Sequence, residues 1–427
     1  MKEIDIIEQY CAEHQEVFCY GAGLYGRTVA AYLAGRGKKI EGFIVTDLSN
    51  DMSVQGHKVY SIDGYLDIHK EEMGIIITVG EKYRDEISDI LKNGGIDDYI
   101  YVSDKVIPYM QENGNFENKY KSDNNISVLC YHRVADVPLD TWKINVRKEL
   151  FEQHLRYYKE NYTVLRSENE WNLKNNSRGV VLTFDDGYED AYTNILPLLE
   201  KYEIPATFFI CVGNLNTDKE FWWDELERII FYANKNKKNI EAFGENIPIR
   251  SYEEKEKACY RIHPILKSMD YKERDKWLID ACFQLGCEKK RSSCHSLSYN
   301  QLKELAKSEF VTIGGHTITH SCLANESYEK QKWEIEESKK EIENIIGKEI
   351  EVFSYPFGQR DDFTEETVEI AKSVGYKRIF TAYAGVAREG SRNGYIPRIN
   401  IGKENNFDSG MRKLLLYENI YGDDMVL

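Results

Sequence analysis

Asp185 and Asp186 stand side by side in Thr183-Phe184-Asp185-Asp186-Gly187, directly after the apolar run 179–182. An apolar run closed by a glycine reads as a buried strand that delivers both carboxylates to its C-terminal rim. Carboxylates this close repel each other, so one is held ionised by a cation while the other is free to exchange protons. The cation's remaining ligands are expected downstream, in His316-Thr317-Ile318-Thr319-His320, which follows the apolar run 310–313. Two histidines four apart fall on one face of a helical turn and can grip one divalent ion. Asp186, His316 and His320 then form a two-histidine, one-carboxylate set that leaves positions for water and substrate, with Asp185 unligated beside it. That is the equipment of a hydrolase.

The elements that must carry these groups fall into two domains. Residues 1–105 alternate short apolar strands (17–20, 40–45, 74–79 and 99–102) with helical stretches, the pattern of a Rossmann-like domain with a parallel sheet. Its first turn, Gly21-Ala22-Gly23-Leu24-Tyr25-Gly26, is a G-x-G-x-x-G between strand and helix; Asp47 falls just past the second strand, where an acid can hold a ribose hydroxyl. Two readings stay open for this domain: a nucleotide or nucleotide-sugar site, and a purely structural role. Residues 106–126 are polar and read as a linker.

The second domain, 127–427, opens with an apolar strand ending at Tyr131-His132 and continues the β/α alternation. A distorted (β/α) barrel is predicted, whose reactive groups gather at strand C-termini. The fold class is therefore α/β, an N-terminal Rossmann-like parallel sheet plus a C-terminal distorted barrel with a helical insertion at about 214–300. In that insertion Phe221-Trp222-Trp223 is either an aromatic platform for a pyranose ring or a hydrophobic anchor holding the insertion on the barrel. The helical stretch 150–159 packs on the sheet with His154 as a structural residue. A long helix over 328–347 has apolar positions at Trp333, Ile342 and Ile346, and its glutamates and lysines read as solvated.

The motif pair T-F-D-D-G and H-[ST]-x-x-H resembles the polysaccharide deacetylase (NodB-homology) family, carbohydrate esterase family 4. The opening strand ending in Tyr131-His132 is similar to that of its poly-N-acetylglucosamine deacetylase branch. The resemblance implies metal binding by Asp186, His316 and His320, Asp185 as the base, and an oxyanion-binding backbone N–H at Phe357 within Tyr355-Pro356-Phe357. Most branches take their catalytic acid from a late Leu-x-His-Asp motif, but no histidine follows His320 here. In the resembling branch the first-strand histidine takes that role, which makes His132 the candidate; an imidazole with a pKa near roughly 6.5 suits protonation of a leaving amine. The other reading of His132 is a strand cap. The family's third motif is usually Arg-x-Pro-[Phe/Tyr], and this chain keeps Pro356-Phe357 but has Ser354 where the arginine would stand. Arg398 is the candidate to take over the charge contact with Asp185, the alternative being a surface salt bridge.

A chain of 427 residues has room for two or three domains. Its formal charge of −16, with no dense basic stripe, argues against nucleic acid or an anionic membrane surface as partner. Thirty tyrosines suit stacking on sugar faces. The first residues lack a basic region followed by a long apolar core, and no apolar run approaches the roughly 18 to 20 residues of a membrane span, so a cytoplasmic protein is expected. The nine cysteines are scattered and read as reduced thiols, Cys322 being a neighbour of the histidines and not a ligand. The expected activity is removal of an acyl group, first of all N-acetyl, from a nucleotide-linked or lipid-linked amino sugar or from an oligosaccharide. Zinc is the first choice of metal, and cobalt, nickel or manganese fits the same ligands. Two other readings are an O-acyl esterase or deformylase on a lipid-linked sugar, and a nucleotide-binding sensor with a degenerate sugar-binding barrel.

Overall fold

The computed structural model describes residues 3–46, 48, 53–54, 56–70, 72–113, 125–173, 177–287, 291–391, 393–402 and 407–421. The chain divides into two compact units, one of Met1–Asn125 with Asp408–Leu427 and the other of Ile126–Phe407. The last twenty residues thus group with the N-terminal unit, where the sequence pattern had carried the second domain to residue 427.

In the first unit six strands, β1 (Glu16–Tyr20), β2 (Gly42–Val45), β3 (Ser53–Val54), β4 (His57–Ser61), β5 (Met73–Ile77) and β6 (Tyr99–Tyr101), lie in the order β3-β4-β2-β1-β5-β6. β5 is buried at every position, as a central strand covered on both faces must be. The sheet is parallel except at one edge. There β3 pairs antiparallel with β4 across a turn in which Gly56 has φ +73°, so the expected all-parallel sheet is in fact mixed. The expected linker also starts later than the composition suggested. Val106–Asn113 is a helix, and Val106, Ile107 and Met110 form an apolar stripe buried in this unit's core.

The second unit is built on an eight-stranded parallel sheet. Its strands are β7 (Ile126–Tyr131), β10 (Thr163–Val164), β11 (Gly179–Phe184), β12 (Ala206–Ile210), β15 (Val311–Gly315), β16 (Val352–Ser354), β17 (Arg378–Phe380) and β18 (Ile399–Asn400). They run in the order β17-β16-β15-β12-β11-β7-β18, with β10 beside the start of β11. Between these lie two small ribbons, β8 (Arg133–Val134) with β9 (Asn145–Val146), and β13 (Asn239–Ala242) with β14 (Glu245–Pro248). The sheet curls into an incomplete barrel. The chain from Thr381 to Arg398 runs between its edges, Thr381 N–H donating to Ile396 O (2.9 Å) and Ala387 bridging Ile126.

β11 lies in the middle of that sheet and is buried throughout. Phe184 stacks on Tyr131 at 5.2 Å and on Phe208 at 4.9 Å, tying β11 to the strands on either side. The Tyr131 hydroxyl is hydrogen-bonded to His154 Nδ1 (3.0 Å) on the helix Lys148–Asn161, and His154 is fully buried, a structural residue as expected. The insertion holds the helices Trp222–Phe231, Tyr252–Ser268 and Tyr271–Leu285 around a core of its own, and it adds the β13-β14 hairpin to the helices expected. That hairpin turns through Phe243 (φ +52°) and Gly244 (φ +80°), the left-handed pair that a two-residue turn needs.

Candidate active site

The C-terminal ends of β11, β12, β15 and β16 converge on the predicted residues. Asp185 follows β11 and donates its N–H to Tyr131 O (3.0 Å), which holds the chain to β7 for one residue beyond the strand. Asp186 then turns away with φ +74°, and His316 N–H is bonded to Ile210 O at the end of β12 (3.0 Å). The two histidines do not share a helical turn. Residues 316–320 are a loop in which Thr317 (φ +65°) and His320 (φ +51°) are left-handed, because the polar chain leaves β15 at a sheet rim and not at a helix start. Among the described residues eight non-glycine positions have positive φ, and four of them, Asp186, Thr317, His320 and Phe357, belong to this site. Such conformations cost on the order of 1–3 kcal/mol each and persist only where the surroundings over-determine them.

Much of that determination comes from Glu334, on the helix Tyr328–Ile346. Its Oε2 accepts the N–H groups of Ile318 (2.8 Å) and Thr319 (2.9 Å), while its Oε1 accepts the Thr319 hydroxyl. Glu334 is fully buried, so the reading of that helix's glutamates as solvated is corrected here. The face turned inward carries Gln331, Glu334, Ile335, Ser338 and Ile342, and Trp333 lies off it with 38% of its surface exposed.

Asp186 Oδ1 lies 3.6 Å from His316 Nε2 and 3.4 Å from His320 Nε2, and all three side chains are buried. His316 donates from Nδ1 to the carbonyl oxygen of Ser354 (2.8 Å), which leaves Nε2 with its lone pair facing Asp186. Burial pushes both imidazoles down, His320 to about 3, and pushes Asp186 up. These are therefore neutral rings beside a carboxylate, and not ion pairs. Asp186 Oδ1 has no hydrogen-bond donor within the protein although it is buried. Two unprotonated ring nitrogens and an unsatisfied carboxylate oxygen, mutually within 4.8 Å, are the donor set a divalent ion requires.

Asp185 sits against Arg398 in a two-pronged pair, Nη1 to Oδ1 and Nη2 to Oδ2, both 2.7 Å. Arg398 is fully buried, and its remaining donors reach Thr381 O (2.5 Å), Thr183 Oγ1 (3.1 Å) and Ser354 Oγ (2.7 Å). Burial alone would raise the Asp185 carboxyl, but the guanidinium overrides it and holds the acid ionised, well below the usual carboxylate range. Arg398 thus makes the charge contact expected of it, and Ser354 accepts one of its donors. A ring nitrogen of His132, half-buried after β7, lies within 4.8 Å of a carboxylate oxygen of Asp185 and of Cys130 Sγ. The base candidate, the acid candidate and the three-ligand set thus share one rim.

Three other expectations fare differently. Trp222 and Trp223 are 6% and 4% exposed, so they are no open platform; the hydrophobic-anchor reading applies. Their rings pack within the insertion's core, and Trp223 lies 4.5 Å from the His320 ring, so the insertion walls the histidine in. Tyr355 faces away from the site, stacked at 4.1 Å on Phe363 with its hydroxyl donating to Gly394 O, because side chains alternate on leaving β16. Pro356 is buried in the turn behind it, and Phe357, at φ +59°, brings its ring to 4.7 Å from His320. In the first unit the turn after β1 needs two of its glycines. Gly21 has φ +112°, and a side chain on Gly26 would meet Gly21 O at 1.8 Å, whereas one on Gly23 would meet nothing within 4 Å. Asp47 lies outside the described residues.

A curled parallel sheet with an Asp-His-His set and a clamped second aspartate at its C-terminal rim defines a hydrolase-type α/β domain. Residues 172–233 and 281–379 match the family model described as polysaccharide deacetylase. Over those residues this unit is similar to the polysaccharide deacetylase family. The chain is 24% identical over 268 residues to YxkH of Bacillus subtilis (strain 168), whose name places it among the polysaccharide deacetylases; the match covers 61% of this chain and 66% of that protein. It is 28% identical over 91 residues to the poly-beta-1,6-N-acetyl-D-glucosamine N-deacetylase of Escherichia coli (strain K12), covering 20% of this chain and 14% of that one. Among solved structures, the Streptococcus pyogenes deacetylase PplD in complex with acetate superposes with a TM-score of 0.44 at 20% identity, over 68% of this chain and 99% of that one. IcaB from Ammonifex degensii gives 0.44 at 19% identity, over 69% and 97%.

Proposed function

We propose that the protein hydrolyses the N-acetyl group of an amino sugar within an oligosaccharide or polysaccharide. The observation that carries this is the buried Asp186-His316-His320 set lying beside a second carboxylate that Arg398 keeps ionised. Those three residues would hold a divalent ion, zinc first, which when bound makes a water acidic and polarises an acyl carbonyl. Asp185 accepts the proton of the attacking water, and its fixed orientation on Arg398 aims the remaining carboxylate lone pairs. The backbone N–H of Phe357 is assigned to the oxygen on which negative charge develops. His132, the more accessible of the two proton-transfer groups, gives its proton to the departing amine. The Escherichia coli relative's name supports N-acetylglucosamine chains as the first substrate to test. A cytoplasmic setting is part of the same proposal, and the nine free thiols support it.

The test is release of free amine and acetate from chito-oligomers and β-1,6-linked N-acetylglucosamine oligomers with zinc or cobalt added, with N-acetylated nucleotide sugars as a further arm. Asp185→Asn should abolish turnover with metal still bound, and Asp186→Ala should lose both. Acetate without amine from O-acetylated sugars would move the protein to the esterases, and equal metal loss in both variants would overturn the assigned roles.

A further inference from the structure

A cavity of about 440 Å³ lies between the insertion and the loop that carries the two histidines. Ile318 and Thr319, which separate those histidines in the chain, form part of its wall. Arg274 and Trp222 form another part. Arg274 is 2% exposed, and its Nη2 donates to Thr319 O (2.9 Å), yet Nε and Nη1 have no acceptor within the protein. Trp222 Nε1, on the ring over which that guanidinium lies at 4.8 Å, likewise has none. Two adjacent lining residues thus hold three buried donor nitrogens without acceptors, an unusual concentration, since buried donors are as a rule paired. They point to an occupant that supplies oxygen acceptors. Tyr271 and Trp333 also line the cavity, their ring centres 6.5 Å apart; Lys330 Nζ, 3.6 Å from the centre of the Trp333 ring, holds that ring in place.

The charge of the lining selects among acceptors. Three basic and four acidic side chains face the cavity, so it has no net pull on an anion. Arg228, one of the basic three, is bonded to Glu220 and Glu225 at 2.9 Å. An uncharged pyranose meets all of these conditions. Its ring face covers an aromatic ring, its acyl carbonyl accepts from Arg274 and Trp222, and its hydroxyls donate to a rim carboxylate such as Asp275. The volume is in the range of small-ligand sites and admits a single sugar residue with its N-acyl group.

We infer that this cavity is a saccharide subsite that binds one N-acylated pyranose through the unpaired donors of Arg274 and Trp222, next to and separate from the Asp-His-His centre. That the ring belongs to the same chain as the residue being deacylated rests on the deacetylase reading; binding itself does not. Isothermal titration of the full chain in EDTA, with N-acetylglucosamine trisaccharide, glucosamine, glucuronate and inorganic phosphate as separate titrants, tests it. The trisaccharide should bind saturably, and bind equally well to Asp186→Ala. Arg274→Met and Trp333→Ala should each weaken it by about ten-fold or more. Trp333 is partly exposed, so the second variant keeps the test open if the first does not fold. Failure of the trisaccharide to bind, binding indifferent to both substitutions, glucosamine binding as tightly as the trisaccharide, or phosphate or glucuronate binding more tightly than the trisaccharide would each overturn the inference. Trisaccharide binding without amine release in the metal-loaded protein would count against the deacetylase reading alone.

Discussion

Arg398 and Ser354 show how a single charge contact can be moved between strands. The arginine side chain extends from the start of β18 across to β16, where Ser354 has only a hydroxyl to offer, and satisfies Asp185 from the opposite side. The exchange was legible because the resembling family's motif has an arginine where this chain has Ser354, and Arg398 stood as the candidate to replace it. Breaking a buried pair by removing one partner costs about 3–5 kcal/mol, so Arg398→Met should destabilise the second unit by that order and abolish turnover. Arg398→Lys keeps the charge but cannot serve both carboxylate oxygens, Thr183 and Thr381 from one ammonium, and should recover little. The double substitution Ser354→Arg with Arg398→Ala returns a guanidinium to the same carboxylate, and both melting temperature and activity should rise above those of Arg398→Met. A double variant no better than the single one would show that Arg398 does more than clamp Asp185. His132 has a different signature. A departing amine needs a proton and a nitrophenolate does not, so His132→Ala should slow an N-acetyl substrate by about 10²–10⁴-fold and an aryl acetate far less. Equal losses on the two substrates would remove it as the acid.

Elements told less of their story in advance. The helix Tyr328–Ile346 read as a charged surface helix because composition cannot separate a buried glutamate from a solvated one. The partners of Glu334 are backbone N–H groups 15 and 16 residues upstream, in a loop whose shape no local pattern encodes. The same blindness applies to the insertion, where the tryptophan pair could be read as platform or anchor and only its burial decides. Glu334→Ala frees two N–H groups of the histidine loop and should weaken metal binding by about 10–100-fold, measured with a competing chelator. Glu334→Gln should cost far less, since its amide oxygen can accept both N–H groups and its nitrogen can donate to the Thr319 hydroxyl. A loss as large for Gln as for Ala would mean that the charge is what matters. The insertion also carries a buried acid: Asp224, hydrogen-bonded by Tyr188 (2.7 Å), is pushed up to about 7 by burial, against the opposing pull of Arg133 and Arg291. An acid raised from 3.8 to about 7 favours the folded state fully below pH ~4 and loses that contribution as pH rises through 7, at most about 4 kcal/mol. Relative to Asp224→Asn, the wild-type chain should therefore lose urea stability between pH 4 and 7. Parallel curves would place its carboxyl in the ordinary range.

At the scale of the whole chain, the two units differ in what could be read from them. The second announces itself through motifs whose spacing fixes chemistry, and its strand order follows from β/α alternation. The first announces a glycine-rich turn, and the structure supplies that turn's geometry. The grouping of Asp408–Leu427 with the first unit was not legible at all, because a terminal helix without a motif gives no sign of which core receives it. Among the described residues no helix is long and apolar enough to cross a membrane. One property of the sequence separates the units experimentally. All six tryptophans, Trp142, Trp171, Trp222, Trp223, Trp277 and Trp333, belong to Ile126–Phe407, so tryptophan fluorescence follows the unfolding of the second unit alone. A ligand that binds only the folded form at about a hundred times its dissociation constant adds about 2.7 kcal/mol. If Asp186, His316 and His320 hold a divalent ion, zinc at that excess should raise the unfolding free energy read from the fluorescence-detected urea curve by this amount, and the midpoint with it, over an EDTA control. Asp186→Ala should show no rise, whereas Asp185→Asn, which keeps all three ligands, should show the full one. A midpoint in the wild-type chain that ignores zinc, cobalt, nickel and manganese alike would leave those two rings and that carboxylate without the ion that best explains why they are buried together.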